Sequence, residues 1–483
     1  MTTPLVPDGS DALSARPRYF DARSRSVWTT TLVFTILYAG FSVAILQSFV
    51  VTSFDNAIIE QAVSGLAHLG APVADIEGPG RIYFADHFSP VLGIVAAFYR
   101  VFPHAITLII VQSVLLGASV GVVHTLGRTV LSSQTAAGFA VVYGASFGLV
   151  NSVVCGFRET SIAVLLLALA GSAFVQGRWR HVAWFSVPLL LVKEDLGLTV
   201  AAIGFVLLLR PASRRIGAAL VVTGAAAMAV IIGWAVPHLG DGRGSAYATS
   251  VTSMARTLFE NPILKAVTTI LTFGAAGFRS WWSPWVLVAV PTFAWRFTSP
   301  KEAYSTPFWH YSAVLMPVVF VATIAALARA THRQRLVAGY VAAALTGLTL
   351  ATTTLVQVTP AYQAVAEGRP EDARRAMAAI PEGSSVVTDE SLVNQLVSKH
   401  PTYYFWTVEA CAAPDYAVAY VTLEAPRHVW GGHVADAQRF ATLEEMVSFT
   451  ESTLEAHYEE VLTTGNYVVL ERDSPAPVAP CDR

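Results

Sequence analysis

Long apolar runs separated by polar connections occupy residues 27–358 of the chain. The first run extends from Val27 to Val51, which is long enough to cross a bilayer core of ~30 Å. Further apolar segments start near His104, Thr135, Thr160, Val182, Asp195, Ile216, Pro262, Trp285, Tyr311 and Leu336. With the first run, these segments predict about eleven transmembrane helices.

The pattern changes after Val358, where helical periodicity alternates with short β-branched and aromatic runs. The segments SSVVTD, TYYFWT, YAVAYVTL and NYVVLE are typical of strands. Thr442, three residues before Glu445, forms a capping-box pattern at the start of a helix. We therefore predict an all-α membrane domain at residues 27–358, preceded by a tail at residues 1–26 and followed by an α/β domain at residues 359–483.

The composition supports a membrane protein. Apolar residues make up 54% of the chain and charged residues only 13%, whereas a soluble domain has ~25% charged residues. The formal net charge of -2 and the absence of a basic patch interleaved with aromatic residues argue against a nucleic-acid partner. We therefore expect membrane lipid to surround the apolar segments.

Basic residues predict the orientation. Arg16, Arg18, Arg23 and Arg25 precede the first apolar run, and the connections GRTV, GRWRH, RPASRR, FRS and ARATHRQR all fall on the same predicted side. We expect a multi-pass protein of a prokaryotic plasma membrane, with a cytoplasmic N-terminus and an extracytoplasmic C-terminal domain. Cys411 and Cys481 would then lie on the oxidising side, where a disulfide between them can form.

The first predicted outside loop, residues 52–103, is far longer than the usual connection of ~4–6 residues. Its segment FDNAIIEQAVSGLAHLG has apolar residues at helical spacing and predicts an amphipathic helix at the membrane interface. Asp55 would lie in the first turn of that helix, at the mouth of the first span. Loops of this length are usually functional.

The motif ADHFSP later in this loop predicts the start of a second helix, with Ser89 as its N-cap and Pro90 as its first residue. The positive end of that helix would favour an anion such as phosphate beside His87. Asp86 would be a proton acceptor or a metal ligand. The alternative is that Asp86 caps the helix and His87 hydrogen-bonds the loop.

Further charged groups interrupt apolar sequence on the same predicted side: Arg158 and Glu159 in CGFRETS, Lys193, Glu194 and Asp195 in LLLVKEDLGL, and His310 in HYSAVLMP. Each has a plain structural interpretation, as a surface ion pair, a turn between spans and a helix cap, respectively. Together with the loop residues, they supply the groups that general-base chemistry on a hydroxyl requires beside an anionic substrate.

Several segments resemble a known family: SFDNAIIEQAVSGLAHLG, DHFSPVLGIVAAFYRVFPHAITLIIVQS, VKEDLGL, HYSAVLMP and AMAAIPEGSSVVTDESLVNQLVSKHPTYYF. They resemble a group of bacterial and archaeal membrane proteins, domain-of-unknown-function family 2079. That group is similar to the GT-C superfamily of glycosyltransferases, which use polyprenyl-phosphate-linked sugars as donors. In this chain, the pair Phe54-Asp55 is similar to their catalytic acidic motif, and DHFSP to their His-Pro element.

The resemblance implies a GT-C-like fold with about eleven spans and transfer of a sugar from a polyprenyl phosphate to an acceptor glycan, lipid or protein at the outer face. Together with the charged groups described above, it leads us to predict catalytic roles for Asp55, Asp86 and His87, and substrate-binding roles for the groups at positions 158, 159, 193–195 and 310. Asn56 follows Asp55 where many GT-C enzymes have a second acid, which leaves the use of a divalent metal ion open. The alternatives are a transporter or lipid flippase with a buried polar pathway, and a membrane-anchored sensory or structural protein.

Overall fold

The structure, a computed structural model, describes residues 19–50, 55–239, 251–422, 439–473 and 481. Most of the described chain is helical, and a small sheet lies near the C-terminus. Phe54 of the predicted acidic pair and most of the N-terminal tail lie outside the described residues.

The N-terminal half begins with a long helix and contains the two helices of the first loop. Its helices are α1 (Arg25–Gln47), α2 (Asp55–Ala67), α3 (Leu92–Tyr99), α4 (Ala105–Val130), α5 (Ser133–Gly144), α6 (Phe147–Val154), α7 (Thr160–Val175), α8 (Trp179–Ser186), α9 (Leu196–Leu208), α10 (Arg214–Val230) and α11 (Val236–Leu239).

The second half contains the helices that precede the sheet and those that connect its strands. They are α12 (Val251–Phe259), α13 (Pro262–Gly274), α14 (Val290–Thr298), α15 (Glu302–Ser305), α16 (Leu315–Leu327), α17 (His332–Thr353), α18 (Thr359–Ala366), α19 (Arg369–Ala378), α20 (Val393–Leu396) and α21 (Leu443–Leu454).

Five of the described helical segments are long and apolar enough to cross a membrane: Arg25–Gln47, Ala105–Val130, Pro211–Leu239, His310–Leu327 and His332–Thr353. A sixth is formed if α5 and α6, which meet at a bend of 41°, make one broken span. The segment His310–Leu327 is the most enclosed of the five, with 89% of its apolar window buried inside the protein. It forms the centre of the helical domain.

The other predicted crossings fold as short or interrupted helices. The segments near Thr160, Asp195 and Pro262 give helices of 16, 13 and 13 residues, below the ~20 residues of a straight crossing. Near Val182, α8 passes into a 3₁₀ helix at Val187–Leu191. Broken helices of this kind are tolerated where protein surrounds them, so the count of eleven stays a prediction.

Among the described residues, the C-terminal sheet has five strands, β1 (Val386–Thr388), β2 (Thr402–Tyr404), β3 (Tyr416–Tyr420), β4 (Tyr458–Thr464) and β5 (Tyr467–Arg472). Their spatial order is β2-β1-β3-β5-β4. Strand β1 is parallel to both of its neighbours, β2 and β3, whereas β5 is antiparallel to β3 and β4. The sheet is therefore mixed.

A helix cap and a disulfide stabilise the C-terminal domain. The side chain of Thr442 accepts a hydrogen bond from the backbone N–H of Glu445 at 3.1 Å, and the Glu445 carboxylate accepts one from the N–H of Ala441 at 2.7 Å. The first bond confirms Thr442 as the N-cap of α21. The second differs from a standard capping box, because Glu445 reaches the N–H of Ala441, one residue before the cap. Cys411 and Cys481 form a disulfide with their Cα atoms 5.0 Å apart, while Cys155 is a buried free thiol.

The C-terminal domain packs directly on the first loop. The side chain of Gln61 in α2 donates to the carbonyl of Thr402 at 2.7 Å. In the opposite direction, the hydroxyl of Thr407 donates to the carbonyl of Ile76 at 2.6 Å. The buried side chains of Val393 and Tyr404 belong to the same apolar cluster as those of α2 and α3. The two parts of the chain therefore share a core.

Candidate functional site

Asp55 and Arg158 form an ion pair at the start of α2. Nη2 of Arg158 lies 2.7 Å from Oδ2 of Asp55. Only 4% of the arginine side chain is exposed, against 40% of the aspartate side chain. The backbone N–H of Arg158 also donates to the side chain of Gln112 at 2.8 Å. A buried cation thus holds a carboxylate that solvent can reach.

The turn that carries Arg158 is fixed against α2. The side-chain oxygen of Asn56 accepts a hydrogen bond from the backbone N–H of Phe157 at 2.9 Å. Gly156 has a φ of +77°, and a Cβ at this position would lie 3.1 Å from Cβ of Asn56. Glycine meets both requirements, because it tolerates positive φ and permits a close approach. The sequence CGFR therefore brings the arginine to the first turn of α2.

Glu159 and Lys193 form the second pair. Nζ of Lys193 lies 3.7 Å from Oε1 of Glu159, and the exposed fractions of the two side chains are 12% and 5%. Arg158 and Glu159 are therefore not a surface ion pair with each other, because each pairs with a different partner inside the protein. The segment VKED is likewise not a plain exposed turn, since Lys193 and Glu194 are largely buried.

His87 and Glu194 form the third pair. Nδ1 of His87 lies 3.6 Å from Oε1 of Glu194, and the other carboxylate oxygen accepts a hydrogen bond from the backbone N–H of Phe88 at 3.2 Å. Burial alone lowers the pKa of His87, but the hydrogen bond and the negative charge of Glu194 outweigh it and raise the pKa above its ordinary value. The pairing with Glu194 therefore stabilises the cationic form of the imidazole.

Three aromatic side chains lie between these pairs. The buried phenol of Tyr83 is within electrostatic range of Glu159, Lys193 and Glu194. His310 is within range of Arg158, Lys193 and His87, and Tyr311 within range of Asp55, Arg158 and Lys193. We call this set the charged cluster: Asp55, Asp86, His87, Arg158, Glu159, Lys193, Glu194, Asp195 and His310, with Tyr83 and Tyr311. The structure thus brings together the site residues that the sequence predicts.

Two local expectations for this region are wrong. Helix α3 starts at Leu92, and no side-chain bond caps it. Ser89 is buried, and its hydroxyl oxygen has no hydrogen-bond partner. The carbonyls of Ser89 and Pro90 instead accept bonds from the N–H groups of Leu92 and Gly93, so a tight turn precedes the helix. His310 is no cap either: it is 7% exposed, and its Nδ1 has no partner.

The structure adds two carboxyl groups that the sequence analysis missed. Burial raises the pKa of Glu77 to about 7, and His87, Asp86 and Asp55 act on it electrostatically. Burial also raises the pKa of Glu390, in the C-terminal domain, to about 7, with Asp55 among the nearby charges. Glu77 follows the apolar Ile76 and Glu390 follows a buried strand, but neither position has a recognisable motif.

A metal centre is less well defined than the ion pairs. Among the described residues, three ligand atoms within 4.8 Å of one another occur at His457, Glu459 and Asp473, which are exposed and lie on strand ends of the sheet. The carboxylates of the charged cluster, as far as the structure describes them, do not form such a group. The use of a divalent metal ion therefore stays a prediction.

These features define the class of the protein. It is a membrane protein with several apolar helices long enough to cross a bilayer and with a buried cluster of acidic and basic side chains. A family model described as a predicted membrane protein, DUF2079, matches residues 45–466. The chain therefore belongs to this family. A search of curated proteins finds no match to the chain.

Proposed function

We propose that the protein is a membrane glycosyltransferase of the GT-C type, which transfers a sugar from a polyprenyl phosphate to an acceptor at the extracytoplasmic face. In this proposal, the short and broken helices complete a membrane domain with about eleven crossings, and the C-terminal domain is extracytoplasmic. The partners are membrane lipid, the lipid-linked sugar, and an acceptor glycan, lipid or protein.

The observation that carries the proposal is the geometry of Asp55. It is 40% exposed, whereas Arg158, which holds it, is almost fully buried. A proton acceptor has to be reached by the group that gives up the proton, and a fixed arginine keeps the carboxylate in one position. The alternative reading as a transport pathway requires polar groups along the membrane depth, whereas these groups converge on one set of loops.

The proposed step conserves atoms and charge. The acceptor hydroxyl oxygen attacks the anomeric carbon of the sugar while its proton passes to Asp55. The bond between that carbon and the phosphate oxygen breaks, and its electron pair leaves with the polyprenyl phosphate. Negative charge grows on this phosphate in the transition state, so cations held in fixed positions stabilise it. His87, Lys193 and Arg158 are the cations of the cluster.

The acidic partners of these cations have a role in the same proposal. Arg158, Lys193 and His87 each lie beside a carboxylate, which fixes the cation before substrate arrives and limits the cost of burying it. Asp86 contributes a further negative charge beside His87 and stays the second candidate for proton transfer.

The experiment that tests the proposal compares Asp55→Asn with Asp21→Asn in cells. Asp21 also pairs with an arginine, Arg128, at 2.9 Å. It lies near the other end of the 23-residue helix α1, which is ~35 Å long at 1.5 Å per residue. We expect Asp55→Asn to change the envelope glycans or glycolipids while protein levels and the Asp21→Asn profile stay normal. An unchanged profile at normal protein levels would instead favour transport.

A further inference from the structure

The carboxyl edge of the parallel strands in the C-terminal domain faces the charged cluster. From β1 the chain continues to β2 on one side and then returns past β1 to β3 on the other. In open α/β sheets, ligands bind beyond the carboxyl ends of the strands at such a reversal of direction. Asp389 and Glu390 directly follow β1 at this point. This edge is therefore where the sheet would contribute to a site.

Contacts at this edge place it on the first loop. Tyr404, at the carboxyl end of β2, packs in one apolar cluster with the side chains of α2. Its hydroxyl donates to Oε1 of Glu390 at 3.2 Å. A small cavity of about 30 Å³ lies beside Glu390 and is also lined by Asn56 and Gly156, the neighbours of the Asp55–Arg158 pair. This volume is enough for one or two water molecules.

Glu390 and Asp55 have different electrostatic surroundings. Glu390 is faced by the phenol of Tyr404 and by the charges of Asp389 and Asp55. Asp389 is held by hydrogen bonds from the hydroxyl and backbone N–H of Ser391 and from the backbone N–H of Tyr420. No cation stands among these groups facing Glu390.

Asp55, in contrast, is paired with Arg158. It also acts electrostatically on Glu77, Cys155 and Tyr311. The cation therefore stands on the side of Asp55. In the part of the chain that the structure describes, the charges that act on Glu390 are those of Asp389 and Asp55.

We infer that Glu390 is electrostatically coupled to Asp55, so that Glu390 releases a proton to water when Asp55 accepts one, and that the C-terminal domain completes the site by supplying Glu390. The inference rests on the proposed function in one respect, the source of the proton that Asp55 receives. Glu390 acts on the reaction through Asp55 and is therefore a positioning residue.

The coupling follows from the charges. When Asp55 accepts a proton, its negative charge disappears and Glu390 holds its own proton less tightly. Glu390 then releases that proton to water in the adjoining cavity, so the total charge of the two carboxyl groups stays constant during the transfer. After the product leaves, Asp55 loses its proton and Glu390 takes one up again. One proton is released for each bond formed.

Infrared titration of the full chain in lipid nanodiscs tests this coupling without any substrate. The difference between wild type and Glu390→Gln isolates the C=O stretch of protonated Glu390, which we expect to titrate near pH 7. In Asp55→Asn, the same band should titrate at a lower pH, because the neighbouring charge is gone. Glu471→Gln is the matched control: Glu471 in the same domain accepts a bond from Tyr416 at 2.6 Å, and its removal should leave the band near pH 7 in place.

A band that titrates at the same pH in wild type and in Asp55→Asn would overturn the inference. If Glu390→Gln fails to fold, Glu77→Gln takes its place, because burial also raises the pKa of Glu77 to about 7 and Asp55 acts on it. The band near pH 7 that remains in Glu77→Gln, and that shifts when Asp55→Asn is added, then decides the inference. With a polyprenyl-phosphate sugar as substrate, Glu390→Gln should slow transfer by roughly tenfold and Glu471→Gln should not. Absence of transfer by the wild type would contradict the proposed function but not the coupling, which the titration measures separately.

Discussion

At the scale of single residues, the charged cluster consists of three acid–base pairs from distant parts of the chain. The pairs are Asp55–Arg158, Glu159–Lys193 and Glu194–His87. Adjacent residues in sequence pair with different partners, which links the loop after α1 to the turns before α7 and α9. A substitution of one member therefore leaves a buried or half-buried charge without its partner.

Replacement of Arg158 by methionine tests the first pair. We expect the unfolding free energy in detergent to fall by about 2 kcal/mol, below the ~3–5 kcal/mol of a fully buried pair, because Asp55 can be hydrated. The double variant with Asp55→Asn should lose less than the sum of the two single losses. Arg128→Met, at the pair with Asp21 whose arginine is more exposed than Arg158, is the control. Additive losses at positions 55 and 158 would show that the two groups do not interact.

The third pair predicts a dependence of stability on pH. The pKa of His87 is raised in the folded protein, so its stabilising effect is fully present below the ordinary pKa of ~6.5 and is lost as the pH rises through the raised value. In wild type, the melting temperature measured between pH 5 and 9 should therefore fall as His87 loses its proton. His87→Gln should not show this fall. His68→Gln, at an exposed histidine of the same loop, should keep it. Identical profiles for wild type and His87→Gln would refute the pairing.

At the scale of elements, the first loop is a folded unit whose geometry positions Asp55. Helices α2 and α3 share an apolar core with Tyr83 and Phe157. Gly156 permits the close approach of the Arg158 turn to α2. The helix α16 begins beside this region with the 3₁₀ turn at His310–Ser312. The position of the cluster is thus set by packing between short elements.

Gly156→Ala should disturb this packing. At a φ of +77° a Cβ is strained and would press on Asn56, so we expect a loss of stability of about 1–2 kcal/mol together with loss of the proposed transfer. Gly138→Ala is the control, because no atom lies within 4 Å of a Cβ built there. Equal melting temperatures and activities for the two variants would mean that the Asn56 contact does not position Asp55.

A second prediction concerns Glu60, which is fully buried in α2 and accepts a hydrogen bond from Tyr99 at 2.9 Å. Burial raises the pKa of Glu60 to about 8, despite the hydrogen bond. An acid with a raised folded pKa stabilises the protein fully below its unfolded value of ~4.3, and this contribution is lost as the pH rises to about 8. Glu60→Gln should therefore be more stable than wild type at pH 8–9 and similar at pH 4–5.

Thermal melting across this pH range measures the effect. Glu260→Gln, at an exposed i,i+4 pair with Arg256, is the control and should follow the wild type. A constant difference between wild type and Glu60→Gln at every pH would contradict the buried, protonated state of Glu60.

At the scale of the whole molecule, the sequence predicted the membrane class and four of the five strands, because long apolar runs and β-branched runs have strong local signals. It missed β4, whose central residues are mostly exposed and polar. The eleven spans were counted from hydropathy alone, which does not distinguish a crossing from a short helix packed inside a bundle. The convergence of the charged groups depends on tertiary packing, and hydropathy indicated only that each charge needed a partner.

The dependence on tertiary packing also explains why the sequence does not predict a role for Glu390. Its importance arises from the docking of the C-terminal domain on the first loop, through the Gln61–Thr402 and Thr407–Ile76 bonds. A single sequence contains no signal for such a contact between residues more than 300 positions apart. The site is therefore a property of the whole chain, shared by the helical domain and the C-terminal domain.

One measurement tests the central claim most directly: transfer of a labelled sugar from a panel of polyprenyl-phosphate sugars by the purified protein in lipid vesicles. The account predicts that wild type and Asp21→Asn transfer the label from at least one donor, and that Asp55→Asn, folded to the same extent, does not. Transfer by Asp55→Asn at the wild-type rate would contradict the role of Asp55, and absence of transfer by the wild type from every donor would contradict the proposed reaction.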